Sequence, residues 1–286
     1  MEPIKMETVA QKIEKWKKIT ENMLVLPKIV QLVLHTDLTH RLPEEHETVD
    51  DDEADDYIRG CDFPENSDYA ITAAEIESNV GSIKGKVILE VGQGPGNLME
   101  ILLEKGAKKV MGLDPSIRMT DYCLQKYFHQ VKAGRMNFIK GSIYINQLPP
   151  ELAESVDLVV SENTWHQLYD PFAGLKGMVS SLKPEGKGFI RDFRRDDITK
   201  LDLLRRALYS KPVIIPYVLA SIGASITKDE FTEMFKNIPE VSELGVKNAP
   251  NPKQRFPDLV EIIAKDPVPH WKDYHISQIV TFIKSH

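Results

Sequence analysis

A chain of 286 residues with 42% apolar side chains can bury one large core with decorations, rather than two complete domains. A formal net charge of -7 argues against a phosphate-binding surface for DNA or RNA. Two cysteines, Cys61 and Cys123, are too few for a disulfide framework or a cysteine-based zinc site, and no residue set elsewhere has metal-ligand spacing.

The first 35 residues read as helical. Val9, Ile13, Trp16, Ile19 or Thr20, and Met23 fall three or four apart among Lys and Glu, Pro27 interrupts the pattern, and Ile29 to Leu34 resumes it. No continuous apolar stretch of signal-peptide type occurs there, so a cytoplasmic protein is the expectation. Glu44 to Asp56 is an acidic run that repels itself and belongs in solvent; it lacks the glycine of a calcium loop. A turn-rich stretch from Tyr57 to Tyr69 follows, and Ser67 or Asp68 is placed to cap a helix through residues 70–78.

From there strand and helix patterns alternate, which predicts a parallel sheet with helices on both faces. Expected strands are 86–91, 109–114, 136–140, 156–161, 187–193, 241–247 and 259–265. Expected helices lie near 95–105, 116–132, 171–182, 200–210 and 227–237, with a last one from about Tyr274. Thr227 and Glu230 have capping-box spacing. The longest apolar run, Val213 to Ile226, contains Pro216 and is shorter than a membrane span.

The informative stretch is Lys86-Val-Ile-Leu-Glu-Val-Gly-Gln-Gly-Pro-Gly-Asn97, with Asp114 at the end of the next strand. Gly92, Gly94 and Gly96 allow a sharp turn and close approach of a ligand. Asp114 is placed to accept both hydroxyls of a ribose. The spacing G-x-G-x-G departs from the dinucleotide pattern G-x-G-x-x-G, which makes an NAD-dependent oxidoreductase a distant reading. Glu90, just before the turn, suits a cationic cofactor better than a pyrophosphate.

This segment resembles motif I of the class I S-adenosylmethionine-dependent methyltransferases. The resemblance implies a Rossmann-like, doubly wound, mostly parallel seven-stranded α/β sheet whose last two strands form a hairpin. It also implies S-adenosyl-L-methionine as cofactor and S-adenosyl-L-homocysteine as product. Glu90, the three glycines, Asp114 and Pro115 would then line the cofactor site. Met119 or Ile143 would sandwich the adenine, and Ser142 would stand where the family often has an aspartate for the adenine amine. Met119 and Ile143 are equally well ordinary apolar filler. In related enzymes the segment before the core reaches over the cofactor, which makes Tyr57 and Tyr69 pocket candidates beside the alternative of packing.

Ser161-Glu-Asn-Thr-Trp-His-Gln-Leu-Tyr-Asp170 resembles the stretch after strand four in the ubiquinone and menaquinone branch of small-molecule methyltransferases. Ser161, Glu162 and Asn163 would face the methionine end of the cofactor, and His166 is the candidate general base, since imidazole titrates near neutral pH. Leu182-Lys-Pro-Glu-Gly continues the resemblance, with Glu185 where the family has glycine. Asp192 and Arg194 are candidate substrate residues, Arg194 with ion pairing to Asp196, Asp197 or the acidic linker as its alternative. Tyr217 lies in an apolar stretch where the family inserts a substrate lid.

The implied organisation is an N-terminal helical extension with its acidic linker (1–66), a methyltransferase core (67–265, lid at about 200–226) and a C-terminal helical tail (266–286). Methyl transfer to O, N or C of a small, partly apolar molecule is the favoured function. A protein side-chain methyltransferase and a non-catalytic cofactor-binding partner subunit are the alternatives. Neither a nucleic acid partner nor a membrane span is expected, and a homodimer is compatible with the sequence.

Overall fold

Aliphatic and β-branched runs build the centre of the molecule. In a computed structural model, which describes residues 26–42, 54–55, 57–59, 68–196, 198–200, 203–204, 215–249 and 277–285, they form seven strands. These are β1 (Val87–Val91), β2 (Lys109–Asp114), β3 (Met136–Lys140), β4 (Val156–Glu162), β5 (Leu182–Phe193), β6 (Val241–Asn248) and β7 (Ser277–Lys284). The sheet order is β3-β2-β1-β4-β5-β7-β6. β1 to β5 are parallel, and β7 runs antiparallel to both β5 and β6.

Period-two alternation sends the strand side chains into two cores. Ile88, Val110, Leu158, Val160 and Phe189 pack on one face against α2 (Asp68–Val80) and α3 (Asn97–Glu104). Leu89, Val91, Met111, Val159 and Ile190 pack on the other against α6 (Pro171–Ser181) and α8 (Lys228–Lys236). The layered α/β sandwich expected from the sequence is therefore present.

Local rules explain several helix starts. Asp170 accepts from the Ala173 N–H ahead of α6, and Thr227 with Glu230 forms the anticipated capping box of α8. A single helix over 116–132 is not formed. It breaks into α4 (Ile117–Lys126) and α5 (Phe128–Lys132) at Tyr127, whose backbone leaves the helical region. The Tyr127 ring stacks on Phe138 at 5.8 Å, so tertiary packing overrides helix continuity. Leu182 starts β5 earlier than expected, and Glu185 adopts the left-handed φ of 60° that a glycine would take there without strain.

The expected C-terminal helix is corrected. Over its described part it is β7, because Ile279, Val280 and Phe282 are buried alternately on the two faces of the sheet. Phe282 lies opposite Gly188, and its ring fills the space that a Cβ there would occupy. Residues 259–265, expected as the seventh strand, lie outside the described residues, as do 1–25 and most of 200–210.

Three further pieces cover one end of the sheet: α1 (Leu26–His35), residues 198–204 in their described parts, and α7 (Ile215–Ala224). Ile29, Val33, Ile198, Leu203, Leu219 and Ile222 form their shared apolar core.

Gly177 shows how tightly α6 is seated. A Cβ there would lie 1.7 Å from the carbonyl oxygen of Ile143, which is backbone and cannot swing away. Gly177→Ala is expected to destabilise the protein by about 3 kcal/mol, the upper end for overpacking, read as a lower urea midpoint with unchanged slope.

Candidate functional site

The carboxyl ends of β1, β2, β4 and β5 meet at one rim, the position where ligands bind in doubly wound sheets. After β1 the chain turns through Gly92, Gly94 and Gly96 with φ of 69°, 49° and 77°, all in the region that favours glycine. Gly92 donates to Leu113 O at 2.8 Å. A Cβ on Gly92 would strike Thr164, whereas one on Gly94 would meet, among the described residues, only the Tyr57 ring at 4.0 Å. The turn is thus closed on its β4 side and open above Gly94, apart from Tyr57.

Asp114 sits beside this opening. Its Oδ2 accepts the Gly94 N–H at 3.0 Å and its Oδ1 accepts the Ser116 N–H at 2.9 Å. Two fixed bonds orient both oxygens while each keeps lone-pair capacity for a diol. Burial raises its pKa, and the two N–H bonds oppose that rise.

Behind the turn lies a buried acidic face. Glu90 is 3% exposed, and its Oε2 has no hydrogen-bond partner among the described residues. Burial, then the charges of Glu162 and Asp114, push its pKa well up. Gln93, also 3% exposed, has neither amide atom bonded there and packs against Gly112, the β2 partner of Glu90. Glu162 accepts from Thr72 Oγ1 at 2.5 Å and from Arg191 Nη1 at 3.3 Å, and Arg191 Nε reaches Glu75 at 2.9 Å. Glu75 and Glu162 therefore share the Arg191 guanidinium, while Glu90 lies close enough to Glu162 and Asp114 to feel their charge. Such a site complements a cation.

His166 lies in the 3-10 turn Trp165–Gln167 after β4 and is 3% exposed. Its Nδ1 is 2.6 Å from Asp192 Oδ1, and Asp192 Oδ2 accepts the backbone N–H groups of Trp165 and His166. Asp192, expected to meet substrate, is 2% exposed and instead holds this turn. With Nδ1–H donated to Asp192, the Nε2 lone pair is the basic position.

The remaining candidates divide. Ser161 donates to Val91 O at 3.1 Å and ties β4 to β1. Asn163 is exposed beside the turn with φ of 50°, and Pro115 is exposed at the start of the Asp114 loop. Met119 packs on Ala54 and Ile58, which brings the segment bearing Tyr57 to the glycine turn. Ile143 is buried in the core shared with α6, so it serves as filler, and Tyr69 packs against the α2–α3 core. The Ser142 hydroxyl caps Tyr144 N at 3.4 Å. Arg194, expected at an anionic substrate group or in an ion pair, is 2% exposed and bonded to Asp196 and Asn248. The side chain of Tyr217 in α7 lies outside the described residues.

Sequence reasoning passed over Thr72, Glu75, Gln93 and Arg191. Gln93 is inside the glycine motif and was legible there. Arg191 and Glu75 are 116 residues apart, and no local pattern announces such a pair.

Fold and rim together define a protein that binds a nucleoside cofactor with cationic character. Residues 89–190 match the family of methyltransferase domains. The histone-arginine methyltransferase CARMER of Culex quinquefasciatus is 33% identical over 134 residues, 45% of this chain and 20% of that protein. The ubiquinone biosynthesis O-methyltransferase of Idiomarina loihiensis is 31% identical over 122 residues, 42% of this chain and 48% of that protein. Among solved structures, the plantazolicin methyltransferase BpumL in complex with SAH has the same fold, with a TM-score of 0.57 and 16% identity over 92% of this chain and 100% of that one. This chain thus spans from a fifth to about half the length of these two curated relatives. The match to a methyltransferase domain thus covers residues 89–190, on a fold that BpumL shares.

The residues present fit that cofactor. The open cradle at Gly94, the oriented Asp114 and the uncompensated Glu90 suit an adenosine, its ribose and a positively charged methionine end, respectively. Among the described residues no group of His, Cys, Asp and Glu has the arrangement of a metal site, and no helix is long and apolar enough to cross a membrane.

Proposed function

We propose that this protein transfers a methyl group from S-adenosylmethionine to an O, N or C atom of a small, partly apolar molecule. The observation that carries the cofactor half is Asp114, held by Gly94 and Ser116 at the mouth of the glycine turn, with the buried carboxyl groups of Glu90 and Glu162 behind it. When bound, the cofactor supplies a methyl group already activated by its sulfonium. The protein's task is then to align the acceptor and exclude water. The apolar layer of α1 and α7 lies over the His166 side of the rim, where a lid for an apolar acceptor would stand. His166, oriented by Asp192, would take the proton that an acceptor hydroxyl or amine loses.

Protein side-chain methylation is the second reading, favoured by the likeness to the histone-arginine methyltransferase and by the two buried glutamates at the rim. A non-catalytic partner subunit is the third. Calorimetry is expected to show binding of S-adenosylmethionine and S-adenosylhomocysteine, while NAD binding with no response to either overturns the reading. Methyl-labelled cofactor and fractionated cell extract separate the three. Label in small metabolites supports the first, label in protein the second, and cofactor binding without any transfer the third.

His166→Ala is expected to lower turnover by about 100-fold, the low end for loss of a general base, while cofactor affinity changes less than about twofold. Unaltered turnover removes His166 from the chemistry.

A further inference from the structure

Arg41 follows α1 in the chain, far from the glycine motif, yet its guanidinium touches the His166 turn. Its Nη2 donates to His166 O at 3.1 Å and to Leu168 O, and its Nε donates to Ala224 O, the last residue of α7, at 2.7 Å. One planar cation thus gathers three carbonyls from two elements that share no backbone ladder. Leu42 N–H donates to Gly223 O at 3.2 Å beside it, and Lys200 Nζ closes the carbonyl end of α1 at Val33 and Leu34.

The turn is consequently held by opposite charges on its two sides. Asp192 accepts its N–H groups at Trp165 and His166, while Arg41 donates to its C=O groups at His166 and Leu168. Phe193 adds an apolar link: its ring centroid is 5.4 Å from that of His166, and it packs against the α1–α7 core. Asp192 alone leaves the carbonyl side of the turn without an anchor, and a three-residue 3-10 turn has little stability of its own.

We propose that Arg41 is a positioning residue, which fixes the orientation of the His166 imidazole by clamping its turn to the end of α7 and so makes that orientation depend on docking of the α1–α7 layer. The proposal rests on the reading of His166 as the proton acceptor. It predicts that a layer closing over an acceptor would also set the base, so that the proton acceptor is aligned only when the site is covered. A lysine does not reproduce the fork, because Arg41 reaches Ala224 O from Nε and His166 O from Nη2, two donors held apart in one plane that a single ammonium lacks.

The test uses the full chain and needs no acceptor. Nitrogen-15 histidine spectra of the wild type are expected to show His166 as one neutral tautomer with the proton on Nδ1. In Arg41→Ala that signature should give way to averaged ring shifts. Carbethoxylation of His166, followed by peptide mass, should rise about tenfold, as expected for losing one or two bonds from a charged donor. Methylguanidinium should restore protection to the alanine variant, and Arg41→Lys should remain largely unprotected. Leu102→Ala is the control, since it opens a cavity on the opposite face of the sheet and lowers stability without touching the turn. Wild-type tautomer and protection in both Arg41 variants would overturn the proposal. So would an equal rise in Leu102→Ala, which would reduce Arg41 to general stability. Should the alanine variant not fold, Arg41→Lys carries the same comparison. Absence of cofactor binding is read separately by calorimetry and bears on the methyltransferase reading, not on the clamp.

Discussion

Asp114→Ala is expected to weaken S-adenosylmethionine binding by about 100-fold, the equivalent of two lost bonds to a charged acceptor. The carboxylate serves in two directions: Gly94 and Ser116 hold it, and its remaining lone pairs face the cradle. Removing it also leaves two N–H donors unpaired in a buried loop, so the glycine turn itself should loosen. Asp114→Asn discriminates between these effects. Its single carbonyl can accept one of the two N–H groups, while its NH2 opposes the other, so affinity should fall nearly as far although volume is kept. Titration calorimetry with S-adenosylhomocysteine measures both variants. An affinity within threefold of the wild type in both would remove Asp114 from the ribose position.

The second large effect concerns Glu90 and has opposite signs for stability and binding. Burial, with Glu162 and Asp114 nearby, holds the Glu90 carboxyl well above the ordinary range. An unfolded glutamate titrates near about 4.3, so the folded, ligand-free chain retains a proton that the unfolded chain has released. The stability linked to that proton is complete below the unfolded pKa and is lost as pH rises through the raised folded pKa. Glu90→Gln has no proton to lose. Its unfolding free energy should therefore decline less with pH than that of the wild type and exceed it on the alkaline side. The same replacement removes the carboxyl that would release this proton and ionise beside a cationic ligand, so affinity for S-adenosylmethionine should drop by about tenfold or more. Denaturant curves across neutral pH and calorimetry on the same samples check the pair of outcomes. A variant with the wild-type pH slope would show that Glu90 is ionised in the ligand-free protein.

How much of this was legible varied with the range of the interaction. The strand, glycine turn and acid of β1 and β2 are contiguous, and each residue's backbone requirement is written in its type: three glycines where φ is positive, an aspartate where two N–H groups converge. The rim residues of β4 and β5 were legible as positions but less so as roles. Asp192 and Arg194 lie on the same side of an extended chain, yet both turn inward to partners that only the tertiary fold brings near. The break at Tyr127 was hidden because the helical pattern runs through it, and only Phe138 on another element explains the departure. Ser277 to Lys284 was read as part of a terminal helix because its place opposite Gly188 and β5, which makes its apolar residues alternate across a sheet, is set only by the tertiary fold.

The position of β7 bears on how this molecule is made. It lies between β5 and β6, although β6 precedes it in the chain. As the polypeptide leaves the ribosome from its N-terminus, β1 to β5 can pair in turn. Among the described strands β6 pairs with β7 alone, so it joins the sheet once residues 277–284 have emerged. During that interval β5 presents an open edge, with Phe189 and Ile190 on its two faces and no strand alongside. A stall within the segment between β6 and β7 would leave a five-stranded intermediate whose free β5 edge favours edge-to-edge association.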